Sequence, residues 1–408
     1  MQFDLIVVGG GAAGFFGAIQ VAEMNPGLNI LILEKSHKLL SKVRISGGGR
    51  CNVTHHNYNP YELAHHYPRG EKVLKKLFKN FHAEHTVKWF AAKGVVLKAE
   101  ADGRMFPVSD SSQTIIDCFI ACTLKSGIKI LLGKAVTQLE ESTDGFKVTC
   151  ADGEAYNSKK ILITIGGSPS KQAYQFISDL HHSVRDPIPS LFTFNDSEKK
   201  FKDLMGVSVP NAAVRIAGTK FSQQGPLLIT HWGLSGPAVI KLSAWAAEHL
   251  HQVGYSFTVL VNWLGQKKED DVRRLLMELK ALKGKQKVTS NSLFALPQRL
   301  TQRLCLLAEV DESQTWSMVS NKKINRLVEF LIRCPFQIKG KTTFKEEFVT
   351  CGGVSLSEIN LDTMESTKVK NIFFAGEVLN IDGETGGFNF QSAWTTAFVA
   401  ARAIASGD

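Results

Sequence analysis

A strand, a glycine turn, a helix, a second strand and an acid follow one another at the start of this chain, and that order constrains its fold more than any other feature. Phe3-Asp4-Leu5-Ile6-Val7-Val8 runs into Gly9-Gly10-Gly11-Ala12-Ala13-Gly14. In the spacing Gly9-x-Gly11-x-x-Gly14 each glycine has its own task. Gly9 permits the sharp exit from the strand, Gly11 lets a pyrophosphate reach the backbone, and Gly14 lets the helix lie close to the sheet. The helix, expected from Ala12 to about Glu23, turns bare N–H groups and the positive end of its dipole towards that phosphate. Asn25-Pro26-Gly27 cannot continue it. Leu28-Asn29-Ile30-Leu31-Ile32-Leu33 reads as a parallel strand covered on both faces. Glu34 stands at its carboxyl end, where a carboxylate accepts ribose hydroxyls and repels the extra phosphate of an NADP-type ligand.

With 408 residues, 44% hydrophobic and 21% charged, the chain can bury more than one core, and two or three domains are expected. No apolar run approaches bilayer-spanning length, and Asp4 with the glycine run leaves no secretory h-region, so a cytoplasmic protein is expected. The seven cysteines are scattered, with no C-x-x-C pair and no zinc-type spacing, so neither a dithiol mechanism nor a metal centre is expected. The formal charge of +10 admits nucleic acid, an acidic membrane surface or an anionic substrate. With lysines spread through most of the chain and no basic tail, a solvated basic surface around an anionic cofactor is the simpler reading.

Further along, Ser46-Gly47-Gly48-Gly49-Arg50-Cys51-Asn52-Val53-Thr54 offers three successive glycines for positive φ and close backbone approach to something flat or charged. Residues from about Glu62 to Gly94, and Ser111 to Lys125, have helical periodicity. Extended runs around Ile128–Leu132, Ala135–Leu139 and Phe146–Cys150, joined by turns at Asp144-Gly145 and Asp152-Gly153, suggest hairpins before Lys160–Ile165 returns to a parallel sheet. Residues 190 to about 264 alternate as strands do, and 266–333 are charged and helix-periodic. Asn371-Ile372-Phe373-Phe374-Ala375-Gly376-Glu377 is a last buried strand ending in an acid, followed by a helix rich in small residues through Ala405.

Four segments together resemble a known family: the first glycine unit, Gly47 to Thr54, Thr230-His231-Trp232-Gly233-Leu234-Ser235-Gly236-Pro237, and Phe374 to Glu377 with Asp382-Gly383-x-Thr385-Gly386-Gly387-Phe388-Asn389-Phe390-Gln391. Along its whole length the chain is similar to bacterial FAD flavoproteins of the aminoacetone-oxidase-like or bile-acid-reductase-like group of NAD(P)/FAD-dependent oxidoreductases. The resemblance implies an α/β fold. A glutathione-reductase-type FAD-binding Rossmann domain (1–189 and 341–408) is interrupted by a β-rich substrate domain (190–265 and 334–340), which carries a helical insert (266–333). His55 departs from the family pattern, which often has Asn there, and the loop after Gly167 is shorter than usual.

What the resemblance implies for the site follows residue by residue. Gly9, Gly11, Ala12, Ala13 and Gly14 take the pyrophosphate; Glu34, next to Lys35, takes the adenosine ribose. Gly48, Gly49, Arg50, Cys51 and Asn52 lie along the flavin or ribityl chain. Gly166, Gly376, Glu377, Gly387, Asn389 and Gln391 complete the cofactor contacts, with Glu377 on a ribityl hydroxyl and the helix start near Gly387 at the flavin N1–C2=O edge. Val136 either gives adenine a backbone contact or packs in the core. Arg50 either steadies a substrate carboxylate or holds its loop by an ion pair. His231 is the candidate proton donor, since imidazole titrates near neutrality without special tuning. The expected protein is an FAD-dependent oxidoreductase acting on a small or medium organic molecule, as an NAD(P)H-dependent reductase or an amine-type oxidase. No second Gly-x-Gly-x-x-Gly unit follows the first, so any NAD(P)H is expected to dock transiently at the flavin. The alternative is an RNA-associated flavoprotein that docks nucleic acid on its basic surface, although no RNA-binding motif is present.

Overall fold

The computed structural model describes residues 2–342 and 349–407. It divides into two compact units, Met1–Ser190 with Lys345–Asp408, and Leu191–Phe344. The return from the inserted segment, expected near residue 341, passes through 343–348, which lie outside the described residues.

The first unit is built on Gln2–Val8. Ile30–Glu34 lies parallel on one side of it and Ala155–Ile163 parallel on the other. Lys129–Leu132 and Ile372–Phe374 extend the parallel part, again in parallel register. Leu5, Ile6, Val7, Leu31, Ile32 and Leu162 are fully buried, as strands covered on both faces must be. Ala155–Ile163 differs from the sequence reading, in which the strand returning to the parallel sheet begins at Lys160. It is one strand whose first half pairs antiparallel with Gly145–Cys150, and from Asn157 onwards it runs parallel to Gln2–Val8.

Ala12–Met24 packs on this sheet with the C-terminal helix Phe388–Ser406 beside it. Small residues set the spacing: a methyl built at Gly17 comes within 3.6 Å of the Ala397 Cβ and 2.8 Å of Leu162. The ring centroids of Phe16 and Trp394 are 5.4 Å apart. The long helical stretch expected from Glu62 to Gly94 is three short helices, Pro60–Ala64, Glu71–Leu77 and Ala83–Ala92. Gly70, at φ +87, starts the second, and a methyl there would lie 2.7 Å from Ile381. His82, in extended backbone, caps the third by accepting the Glu84 N–H.

The second unit is a closed antiparallel barrel of Thr193–Asp196, Gly233–Ser235, Ser222–Ile229, Ser208–Ile216, Ser256–Asn262 and Cys334–Thr342, in that spatial order. Val209, Ala212, Val214 and Ile216 are buried; Val214 and Ile216 follow the alternation read from the sequence, and a bulge between Val209 and Ala212 resets the register. The helices Glu269–Leu282, Gln298–Leu307 and Asn321–Ile332 share one apolar core with the barrel, through Leu276, Leu304 and Leu327 together with Val261 and Trp263. No helix among the described residues is long and apolar enough to cross a membrane.

Candidate functional site

At the glycine turn of the first unit the three glycines separate by physical cause. Gly9 has φ +113, and a methyl there would lie 2.5 Å from the Thr164 carbonyl oxygen. A methyl at Gly14 would lie 2.0 Å from the Gly9 carbonyl oxygen, so the helix reaches the strand only because no side chain intervenes. Gly11 is different. Its backbone is extended, φ −94 and ψ −168, and a methyl built on it meets no atom within 4 Å. Neither conformation nor packing against the described residues asks for glycine at 11, and its backbone is open to approach. Gly11 is also the N-cap of Ala12–Met24 and makes no side-chain cap, so the first N–H groups of that helix are available to an anion.

Glu34 closes the other side of the turn. Its carboxylate accepts the Gly10 N–H at 2.7 Å and the Ser36 N–H at 2.8 Å, which fixes its direction and leaves further lone pairs for hydroxyl donors. Lys35 is exposed. The Lys134 N–H donates to the Glu34 carbonyl at 2.9 Å, bringing the segment that leads into Val136 beside this acid. Val136 itself is half-buried, at a bulge where Val136–Ser142 pairs with Gly145–Cys150.

The segment 46–54 meets the start of the C-terminal helix. Gly47, Gly48 and Gly49 have φ of +58, +68 and +85, and methyls at Gly48 and Gly49 would meet nothing within 4 Å. These two need glycine for the left-handed backbone, not for packing. The Asn52 side chain accepts the Gly387 N–H at 2.9 Å and donates to the Thr54 carbonyl at 3.1 Å. Gly387, at φ +91, is the N-cap of Phe388–Ser406, and a methyl there would lie 2.5 Å from the Thr54 carbonyl oxygen. The glycine loop and the helix start are therefore one rigid corner.

Several residues expected to touch the cofactor have their side chains engaged elsewhere. Gln391 is fully buried; its Oε1 accepts from Thr54 at 2.6 Å and Thr86 at 2.9 Å, and its Nε2 donates to Thr395 at 3.1 Å. It positions the corner and offers no side-chain atom to a ligand. Asn389 grips the Gly383 backbone, accepting its N–H at 2.8 Å and donating to its carbonyl at 3.0 Å. Cys51 is buried with φ +62, and burial pushes its thiol up to about 12, against a lowering hydrogen bond from Ser46, so it is no thiolate nucleophile. Of the two roles open to Arg50, the ion pair is the arrangement present: its Nη1 lies 2.6 Å from Glu100 and 3.5 Å from Asp110, and the guanidinium sits 3.9 Å from the Phe106 ring centroid. Gly376 has φ +80 and packs its Cα face on Ala13, and its N–H donates to Thr396 at 2.9 Å, so it serves the helix contact.

Glu377 lies in a polar cluster of its own. It accepts from Lys42 Nζ at 2.7 Å and from the Thr350 N–H at 2.9 Å. A methyl at Gly167 would lie 2.3 Å from Thr350 Oγ1 and 2.4 Å from Glu377 Oε1, whereas Gly166, at φ +72, faces no atom within 4 Å. Thr350 Oγ1 is buried without a hydrogen-bond partner among the described residues, the mark of a site built for one more polar group.

Sequence reasoning missed a buried group that steadies the loop before the C-terminal helix. Arg69 Nε donates to Asp382 Oδ1 at 2.5 Å, its Nη2 also reaches Oδ2, and Ser190 Oγ donates to Oδ2 at 2.8 Å. Tyr67, also fully buried, donates its hydroxyl to the Phe388 carbonyl at 2.6 Å. The signal for them was Tyr67-Pro68-Arg69-Gly70, a turn with an arginine inside an otherwise helical stretch.

In the second unit, His231 is exposed in the tight connection between Ser222–Ile229 and Gly233–Ser235, its ring 3.6 Å from that of Trp232. The two line an open cleft of about 430 Å³ with Asp196, Lys199, Lys202 and Lys339.

A family model, the HI0933-like protein Rossmann domain, matches residues 3–403. The chain belongs to the HI0933-like family. This HI0933-like chain is 28% identical over 411 residues to the ribosomal RNA dihydrouridine synthase of Haemophilus influenzae, covering 98% of each chain. It is 25% identical over 408 residues to the 3-dehydro-bile acid delta(4,6)-reductase of Clostridium scindens, again over 98% of each. The solved 3-ketosteroid delta1-dehydrogenase of Sterolibacterium denitrificans matches over 100% of both chains with a TM-score of 0.52 at 12% identity, a likeness of fold. The HI0933-like chain is an FAD-dependent oxidoreductase and a flavoprotein, and its cofactor is FAD. The open backbone at Gly11 and the unpartnered Thr350 hydroxyl suit such a group.

Proposed function

We propose that this chain reduces a ring carbon–carbon double bond conjugated to a carbonyl. The observation that carries the reading is the end-to-end match to two relatives whose names both denote saturation of such a bond, one in uridine and one in a 3-oxo bile acid. That favours the reductase side of the family resemblance over amine oxidation.

Bound and reduced, FAD supplies the hydride. The chain's part is to hold the cofactor, shape the site and deliver a proton to the carbon next to the carbonyl. In this reading the Gly9–Gly14 turn, with Ala12 and Ala13 at the helix start, holds the pyrophosphate, and Glu34, with Lys35 beside it, binds the ribose. Val136 offers adenine its backbone. The backbone from Gly48 to Asn52, Gly166 and Glu377 lie along the ribityl chain and flavin. The N–H groups after Gly387 stabilise charge on the flavin edge. His231 is proposed as the acid; its support is an exposed imidazole in a cleft of ligand size. Glu34→Ala is expected to weaken FAD binding by roughly tenfold, measured by flavin fluorescence on titrating the apoprotein, since one charged acceptor is lost. Unchanged affinity would remove Glu34 from the ribose.

NAD(P)H is proposed as a transient reductant, in keeping with a second unit whose barrel pairing among the described residues is antiparallel throughout, with no second βαβ nucleotide fold among them. The test is anaerobic. Holoenzyme reduced by NADH or NADPH is mixed with a conjugated cyclic enone, with uridine-containing RNA, or with neither. Recovery of the oxidised flavin band with an enone or RNA, together with the saturated product, is expected. Bleaching of oxidised enzyme by a primary amine, with no reoxidation by any double bond, would overturn the reading. His231→Ala is expected to keep its flavin while slowing reoxidation.

A second reading, in which the conjugated bond is that of uridine carried in RNA, is favoured by the dihydrouridine synthase relative and by the basic cleft at His231.

A further inference from the structure

The net charge is not spread along the chain as the sequence reading supposed. Residues 191–344, the second unit, hold 22 lysines and arginines against 12 aspartates and glutamates, while the remaining residues hold 26 of each. The whole excess of +10 therefore belongs to the barrel unit, and the unit that carries the glycine turn is neutral. A cofactor with two phosphates accounts for none of it, because the residues that suit that cofactor lie in the neutral unit.

The cleft on the barrel gives this charge a place to act. Lys199, Lys202 and Lys339 are exposed and, among the described residues, make no ion pair. Lys200, between them in sequence, is by contrast paired with Glu198 at 2.6 Å. Trp232 is half-buried at the cleft wall with the His231 ring against it, which provides an aromatic surface of the kind on which bases stack. Asp196 is the one carboxylate lining the cleft; it is 5% exposed and accepts the Glu198 N–H at 3.1 Å, so the exposed charge of the cleft is that of the three lysines.

We propose that the barrel unit docks single-stranded RNA in this cleft, with Lys199, Lys202 and Lys339 on successive phosphates and a base against Trp232. Such docking presupposes the second reading above, uridine carried in RNA. A membrane surface would also attract the charge, but it has no use for an aromatic wall set inside a cleft.

The experiment measures binding of a fluorescein-labelled, uridine-rich RNA of about 16 nucleotides to the FAD-loaded full chain by anisotropy. Salt is varied from about 50 to 200 mM. In the triple variant Lys199→Ala, Lys202→Ala, Lys339→Ala the slope of log affinity against log salt is expected to fall by about 2, three phosphates at roughly 0.7 each. Trp232→Ala is expected to weaken binding roughly tenfold with the slope unchanged. A control triple, Lys285→Ala, Lys287→Ala, Lys322→Ala, on exposed positions elsewhere in the unit, is expected to leave both near wild type. An unchanged slope in the cleft variant, an equal loss in the control, or phosphatidylserine vesicles that bind with the same dependence on the three cleft lysines would each overturn the proposal. Reoxidation of the reduced flavin by a small enone is read in parallel. If neither the enone nor the RNA reoxidises the wild-type flavin, the reductase reading falls; if reoxidation persists while the RNA slopes stay unchanged, only the docking falls.

Discussion

Gly11→Val is expected to leave the fold intact and abolish FAD retention, whereas Gly14→Val is expected to destabilise the domain strongly. Both replace a glycine of the same turn with the same side chain, yet the surroundings differ. At Gly11 the backbone is extended, which a β-branched residue adopts readily, and its Cβ would meet no atom within 4 Å. The added isopropyl group would stand where a pyrophosphate must approach the N–H groups of Ala12–Met24. Losing even one or two charge-assisted hydrogen bonds there costs about a hundredfold in affinity. At Gly14 the new Cβ would lie 2.0 Å from the Gly9 carbonyl oxygen, so strand and helix must separate, at a cost of about 3 kcal/mol or more. Urea denaturation of the apoproteins separates the two effects, and a flavin titration follows. Wild-type FAD affinity in Gly11→Val would show that the phosphate does not sit at this turn.

The second large effect is expected at Arg69 and Asp382. Asp382 is fully buried, and the side chain of Arg69 is 11% exposed. Removing either partner leaves a charge in the interior without compensation, which destabilises by about 3–5 kcal/mol. Arg69→Met and Asp382→Asn are each expected to lower the urea midpoint strongly. The double change Arg69→Met with Asp382→Leu should recover much of the loss, because neither charge then remains. Because Asp382 opens the loop that ends at Gly387, the single variants should also release FAD more easily in the folded fraction, read by flavin anisotropy below the unfolding transition. A loss of under about 1 kcal/mol in both singles would mean that the pair is solvated in solution and does not anchor the loop.

The corner formed by 46–54 and the C-terminal helix engages the side chains of several residues expected at the cofactor. A glycine-rich motif followed by Asn, and a second glycine pair followed by Phe-Asn-Phe-Gln, both looked like ligand contacts. In the folded chain the side chains of Asn52, Asn389 and Gln391 bond to backbone or to other buried side chains. Polar side chains in such a corner are required whether or not a ligand is near, since the close approach of Thr54 to Gly387 leaves backbone groups that cannot reach water. Spacing along a sequence cannot tell a polar residue that faces a cofactor from one that holds the loop facing it.

The sequence by itself determined the Rossmann unit, because each of its signals is local. An apolar run, three glycines at fixed offsets, a Pro-Gly stop and a terminal acid all act within one strand–turn–helix–strand, where a few residues fix the backbone. Its strand-like alternation near residue 214 likewise follows the pleat, since Val214 and Ile216 are buried while Arg215 between them is exposed. Tertiary structure alone decided the rest. The pairing of Arg69 with Asp382 joins residues more than three hundred positions apart, and the choice of an ion pair for Arg50 depended on Glu100 and Asp110 folding back to it. The closure of the barrel joined Lys199 and Lys202 to Lys339, three lysines that a linear reading counted only as scattered charge. Charge and hydrogen bonding act through space, and only the fold sets those distances.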